Sequence, residues 1–419
     1  MTPLKKKEGA VAFSRESGRW WVTALLFLAT TINYMDRVTL SGVSVRVTEE
    51  LGLTNLEYGN LELAFGWAFA VGSVTFGFLA DRIRIYLLYP MVLGLWSMVG
   101  MATGWAEGFA GLLACRSLLG FFEAAHWPCA VKTTFAVLDD RQRTLGNSIL
   151  QSGASVGAIL TPQLIRWVID DSAGSWRRAF ILCGLVGLVW VLIWMVAMRS
   201  HGAVSHESGT ASGSAQHVEL WRILRRGRFW AVAVLIVGAQ MVWHVYRVWL
   251  MKFLQSGRGL GEVEALNFTS AYYVATDVGC LLAGVASLRL VHGLGCSPHQ
   301  ARRWVYLCGC LCTSLCVCLP WLKAGVLLKI ALLVIGAGAL ALFPCYYSFV
   351  QELSPHHVGR LTGILSLWVW AITSPMHTIF GKLADQTQSY DAGLVVAGLA
   401  PWIGVIALHV LWRDESPAT

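Results

Sequence analysis

The chain has 419 residues, of which 56% are hydrophobic and only 13% charged. A soluble domain carries about 25% charged residues, and here the apolar residues gather into blocks long enough to cross a bilayer, so an all-α membrane protein is expected. The net charge of +8 is explained by membrane orientation rather than by a nucleic-acid partner.

In chain order, residues 1–19 form a polar, basic tail containing Lys5, Lys6, Lys7 and Arg15. No small-residue cleavage site follows a short apolar core, so the first span reads as a retained anchor, not a cleaved signal. Six spans follow at about 20–42, 58–80, 85–105, 109–136, 143–169 and 177–198. Each is near the ~20 residues a helix needs to cross the hydrocarbon layer. Residues 199–228 are polar and rich in Ser, Gly and His, and read as a flexible cytoplasmic linker between two six-helix bundles, 20–198 and 229–412. The second bundle holds spans at about 229–254, 267–291, 303–322, 325–350, 361–384 and 392–412, and a tail, 413–419, follows it. Lys and Arg concentrate on the side of the N-terminus (Arg82, Arg84, Arg141, Arg143 and the linker's Arg222, Arg225 and Arg226) and thin out on the other (Arg46, Arg177, Arg178, Arg258). That bias places both termini in the cytoplasm. The 11 cysteines are an odd number. Cys308, Cys310, Cys312, Cys316 and Cys318 crowd one span without the C-x-x-C spacing of a zinc site, so small buried thiols are expected and no metal.

The halves echo each other. Pro128-Cys129 matches Pro344-Cys345, and Arg143-x-x-Gly146 matches Arg360-x-x-Gly363 at nearly the same offset. This fits two pseudo-symmetric bundles related by an axis along the membrane normal, with a central cavity between them.

Four charges lie deep in apolar sequence: Asp36 and Arg37 in span one, Arg116 and Glu123 in span four. A central Asp or Arg costs roughly 2.5–3.5 kcal/mol to insert, so four unpaired would cost about 10 kcal/mol. Arg116 and Glu123 return to almost the same helix face two turns apart, whereas Asp36 and Arg37 point about 100° apart. One of the latter can therefore line a cavity while the other reaches a neighbouring helix. A structural network locking spans one and four together is the plain alternative, but two separated acid–base pairs favour a charge-balanced pathway, and hence transport. A carboxylate held between the opposing effects of burial and a neighbouring arginine can change protonation when the cavity changes sides. Arginine supplies a two-pronged partner for a substrate carboxylate.

Tyr34, Gln151, Trp243, His244, Tyr246 and Arg247 add rings, amides and hydroxyls that suit a sugar-like ligand, although each alone is as consistent with packing. His126, Lys132, Asp277 and His377 are further intramembrane candidates, with Asp277 open to a structural pairing with Arg289 or Arg247. Glu62 falls close to the outer end of span two, where solvation makes it less informative.

Gly77-Phe78-Leu79-Ala80-Asp81-Arg82 resembles the loop signature of the major facilitator superfamily, with Arg84, Ile85 and Tyr86 replacing its usual basic continuation. Three further stretches resemble the anion:cation symporter family: Asn33-Tyr34-x-Asp36-Arg37, Arg116-x-x-x-Gly120-x-x-Glu123 with Trp127-Pro128, and Gly146-Asn147-Ser148 to Gln151-Ser152-Gly153. Trp243-His244-x-Tyr246-Arg247-x-Trp249-Leu250, Tyr273-x-x-x-Asp277-x-Gly279-Cys280 and Val350-Gln351-Glu352-Leu353-Ser354-Pro355 are most similar to the hexuronate branch. The resemblance implies the major facilitator fold, proton coupling at Asp36 and Glu123, and anion binding at Arg37 and Arg116. Tyr34, Gln151, Trp243, Tyr246 and Ser366 become candidate substrate contacts, and Asp81, Arg82, Arg247 and Asp277 gating or structural residues. Phe69 stands where several members carry Tyr, and Ser366-Leu367 where galactonate-type members place an Asn.

No Gly-x-x-x-x-Gly-Lys-Ser/Thr loop is present for an ATP-driven pump. Gly153-Ala154-Ser155-Val156-Gly157-Ala158 lacks the Gly-Pro and paired glycines of drug antiporters, and His356-His357 has no partner for a metalloenzyme. The expectation is a non-enzymatic secondary transporter that symports a sugar acid, such as glucuronate or galacturonate, with protons by alternating access. It would be a monomer of the bacterial inner membrane with no cofactor. Sodium-coupled or exchange transport of galactonate or an aromatic acid is the alternative, and a non-transporting nutrient sensor a more distant one.

Overall fold

The computed structural model describes residues 6–138, 140–200, 222–353 and 358–412. The linker at 201–221 and the tail at 413–419 lie outside the described residues. Among the described residues there is no strand, as expected where hydrocarbon leaves backbone groups no partner but their own helix.

The first half holds α1 (Lys6–Gly42), the short α2 (Ser44–Glu50), α3 (Asn55–Arg82), α4 (Ile85–Thr103), α5 (Phe109–Glu123), α6 (His126–Val137), α7 (Asp140–Val168) and α8 (Arg177–Ser200). The second holds α9 (Gly227–Lys252), α10 (Glu262–Leu294), α11 (Pro298–Thr313), α12 (Val326–Leu353), α13 (Val358–Thr387), α14 (Asp391–Leu399) and α15 (Pro401–Leu411). A π-helical turn, Phe253–Gly257, extends α9, and a 3₁₀ stretch, Ser314–Trp321, extends α11. The twelve expected spans are all present, with span four broken into α5 and α6, and span twelve into α14 and α15. Nine helical segments among the described residues are long and apolar enough to cross a membrane. Spans one, four and five fall short of that mark, and spans one and four are those that carry Asp36, Arg37, Arg116 and Glu123.

The break in span four has a local cause. Pro128 lacks an amide hydrogen and its ring crowds the carbonyl four residues back, at Ala124. The chain tightens there, with the Ala125 amide donating to Phe122 O at 3.1 Å. This turn sets Glu123 and His126 at the middle of the bundle.

The two six-helix bundles meet mainly through α3 against α13 and α7 against α10. They are joined on the side away from the termini. Arg46 makes a two-pronged pair with Glu262, at 2.7 and 2.6 Å. Asp385 of α13 caps α3 by accepting from the amides of Asn55 and Leu56, at 3.1 and 2.8 Å. Lys252 donates to Thr48 Oγ1 and Asn55 Oδ1, each at 3.0 Å. Gly59, Gly66 and Gly381 allow the helices to touch: a Cβ on any of them would collide with His377 O, Ser374 Oγ or Asn55 O respectively. Toward the termini the same helices part. The Phe69–Trp370 ring contact at 4.8 Å and the Ser155–Asp277 hydrogen bond at 2.6 Å are the last described ties. Beyond them, Gly77 and Gly363 have nothing within 4 Å. The result is a cleft between the bundles that opens on the side of the termini.

Candidate functional site

The apex of the cleft holds a buried cluster of charge. Arg37 leaves α1 and donates through Nε to Glu123 Oε2 of α5 at 2.7 Å. Arg116, two turns before Glu123 on the same face of α5, pairs instead with Glu62 of α3, Nη2 to Oε1 at 2.5 Å. The other oxygen of Glu62 accepts from Arg247 Nη2 of α9 at 3.3 Å, and Arg247 Nη1 reaches Arg37 O at 3.3 Å. Arg116, Glu62 and Glu123 are 1%, 2% and 0% exposed. The acid–base pairs therefore cross between helices and, at Glu62–Arg247, between bundles.

Asp36 turns the other way, as the 100° separation from Arg37 requires. It packs into the first bundle against Gly100 of α4, makes no ion pair among the described residues, and leaves Oδ2 buried without a partner. It remains within electrostatic reach of Glu123, Arg116 and Arg37.

The arginines are only part-satisfied. Arg37 Nη2, Arg116 Nε and Arg116 Nη1 are buried donors with no acceptor, and Glu123 Oε1 and His244 Nδ1 are also unpartnered. Buried polar groups normally have partners, so such a concentration marks a place built for a ligand or water. Aromatic rings surround it: the Arg37 guanidinium lies 4.7 Å from the Phe69 ring and 5.4 Å from Tyr34, and Arg116 lies 4.3 Å from Phe65. Trp370 bridges Phe69 and His244, the latter at 4.6 Å. The arrangement offers free guanidinium donors to an anion beside flat apolar faces.

The structure brings together Tyr34, Asp36, Arg37, Arg116, Glu123 and Arg247. Trp243 is buried nearby against Tyr273 and Phe343, at 6.1 and 5.9 Å. Gln151 is exposed on α7 and Ser366 half-buried on α13. Tyr246 points away: its hydroxyl donates to Leu394 O at 3.3 Å. Asp277 accepts from Ser155, not from Arg247 or Arg289. Arg82 is exposed at the end of α3, and the Asp81 side chain lies outside the description. His126 is tied to Thr30 and Tyr89, at 3.2 and 3.0 Å. Glu62, expected to be solvated near the outer end of span two, is instead buried and holds two arginines. Its signal was available, as an acid inside an apolar run.

No group of three or more His, Cys, Asp or Glu side chains among the described residues could hold a metal ion. A buried, partly unsatisfied arginine cluster at the closed end of a cleft between two bundles defines a membrane carrier. The chain belongs to the Major Facilitator Superfamily, which matches residues 26–376, and is a transporter rather than an enzyme. It is 24% identical to a hexuronate transporter of Escherichia coli (strain K12), over 95% of this chain and 94% of that one. It is 25% identical to a D-galactonate transporter of Escherichia coli O6:H1, over 94% and 96%. In fold it is similar to a bacterial homologue of the human lysosomal transporter Spinster in an inward-facing, unoccupied conformation. That match has a TM-score of 0.80 at 17% identity, over 96% of this chain and 99% of that one.

Proposed function

We propose that the protein is a secondary transporter of the bacterial inner membrane that symports a sugar acid, a hexuronate such as glucuronate or galacturonate, with protons. The observation that carries this reading is the set of unpaired donors on Arg37 and Arg116 beside Glu123, whose own Oε1 is unpaired. A substrate carboxylate meets the free guanidinium nitrogens, the phenyl and indole faces take the pyranose, and Glu123 and Asp36 take protons as the charge around them changes. With both termini in the cytoplasm, residues 20–198 and 229–412 form the moving bundles, joined by the 199–228 linker, and the cleft faces the cytoplasm. Opening to the other side separates the Arg46–Glu262 and Asp385–α3 ties. The carrier works as a monomer.

The likeness to both a hexuronate and a D-galactonate carrier supports a sugar acid and leaves the choice to experiment. Purified protein in lipid vesicles should accumulate labelled glucuronate when the outside is made acidic, and an imposed sodium gradient should not substitute. Unlabelled galacturonate should compete at least about tenfold better than neutral glucose, because a lost charged hydrogen bond costs roughly 1.5–3 kcal/mol. Equal competition by glucose would remove anion symport. A preference for galactonate would keep the mechanism and change the substrate.

A further inference from the structure

The Glu62–Arg247 pair belongs to the same cluster but to neither the proton pair nor the anion pair. With all its groups charged, the cluster holds three carboxylates, Asp36, Glu62 and Glu123, and three guanidiniums, Arg37, Arg116 and Arg247, every one of them buried. Glu123 feels Arg37, Arg116 and Arg247, and Glu62 feels Arg116, Arg247 and His377, so the six act on one another. Three buried histidines lie within electrostatic reach of the cluster: His126 of α6 near Arg37, His244 of α9 near Arg247 and Arg37, and His377 of α13 near Glu62 and Arg247. They enter the count as neutral rings. His377 Nδ1 accepts from Trp249 Nε1 at 3.3 Å, which a doubly protonated ring could not do.

We propose that Glu62 is the internal counter-anion that makes substrate binding depend on a proton. Resting on the symport reading above, the argument is one of charge balance. Fully ionised, the six buried groups sum to zero before substrate enters. A monovalent carboxylate brought to Arg37 and Arg116 adds one negative charge to a low-dielectric site, where an uncompensated charge is expensive. Uptake of one proton by a carboxylate of the cluster restores neutrality, and the bond that yields most easily is the long Glu62–Arg247 contact between the bundles. Without Glu62 the cluster carries one excess positive charge, and the substrate anion alone balances it. Glu62 is thus a positioning residue that acts through Arg116 and Arg247, and it sets the proton requirement rather than the shape of the site.

The test is titration calorimetry of the purified protein with glucuronate, repeated in buffers of different ionisation enthalpy, which counts protons taken up per anion bound. The wild type should take up about one, so its Kd rises about tenfold per pH unit. Glu62→Gln should take up about none, with an affinity that is flat in pH. The double variant Glu62→Gln/Arg247→Gln, balanced again, should return to about one, and Arg247→Gln alone, already holding one proton before the anion arrives, should also take up about one. A purely structural Glu62 would weaken binding and melt early without changing the proton count. The same proton count in Glu62→Gln as in the wild type, or no recovery in the double variant, overturns the inference and leaves symport standing. Binding by the wild type without any proton uptake overturns the symport reading and this inference with it.

Discussion

Replacing Arg37 with lysine separates two jobs that one guanidinium performs. Nε of Arg37 holds Glu123 at 2.7 Å, while Nη2 is buried with no acceptor and is the atom offered to substrate. A lysine ammonium is a single point at the end of a shorter reach, and it settles on the carboxylate already there. The ion pair survives and the free prong is lost. One charge-assisted hydrogen bond is worth about 1.5–3 kcal/mol, so kcat/KM for glucuronate should fall about 10- to 100-fold, at about 1.4 kcal/mol per decade, with most of the loss in KM. Thermal stability should change little. Arg37→Met makes the contrast, because it leaves Glu123 buried without a cation and should destabilise the fold by about 3–5 kcal/mol. Both variants are read by initial uptake rates in vesicles and by melting in detergent. A lysine variant within threefold of wild type, or one that melts as early as the methionine variant, would refute the division of labour between Nε and Nη2.

Asp36→Asn and Glu123→Gln should each abolish accumulation driven by an acid-outside gradient, while exchange of labelled for unlabelled substrate persists. Normal gradient-driven uptake in both variants would move proton coupling elsewhere. Gly59→Ala places a methyl against His377 O and should loosen the far side, seen as faster amide exchange in peptides spanning 55–60 and 378–385. Gly77→Ala, with nothing within 4 Å, should leave both exchange and uptake unchanged. On the far-side loops, partial burial works against ionisation of Glu50, but Arg177, the Gly174 amide and the Trp176 indole outweigh it and hold the carboxyl below its usual value. Its stabilising contribution is complete above the ordinary Glu pKa of about 4.3 and is lost as pH falls through the lower folded value. Melting of Glu50→Gln should accordingly lose that acid-side dependence.

The fold was legible because a bilayer imposes length and apolarity on each span. The twelve spans follow from hydropathy, and two of the three weak ones, spans one and four, are marked by their charges. The proline that breaks span four was visible, but not that the break would set Glu123 facing Arg37. Arg116 and Glu123 share a helix face, and that periodicity was correct. Their partners come from other helices, and helix periodicity carries no information about which neighbour supplies them. Glu62 shows the limit most clearly. Thr54 and Glu57 form a capping box that starts α3 at Asn55, so Glu62 sits two turns inside rather than at the rim. Its burial depends on α5 and α9 each bringing an arginine to it. Tyr246 was on the right helix and the wrong face, since α9 is buried nearly all round and its sequence does not say which side meets the cleft.

The most direct measurement is proton movement driven by substrate alone. Vesicles containing the protein and a trapped pH indicator, with no imposed gradient and the membrane potential clamped, are given glucuronate outside. Coupled entry of anion and proton predicts that the interior acidifies at a rate set by glucuronate concentration, and that Glu123→Gln abolishes the signal. Uptake of glucuronate with no change of internal pH, or acidification that Glu123→Gln leaves intact, would contradict the account.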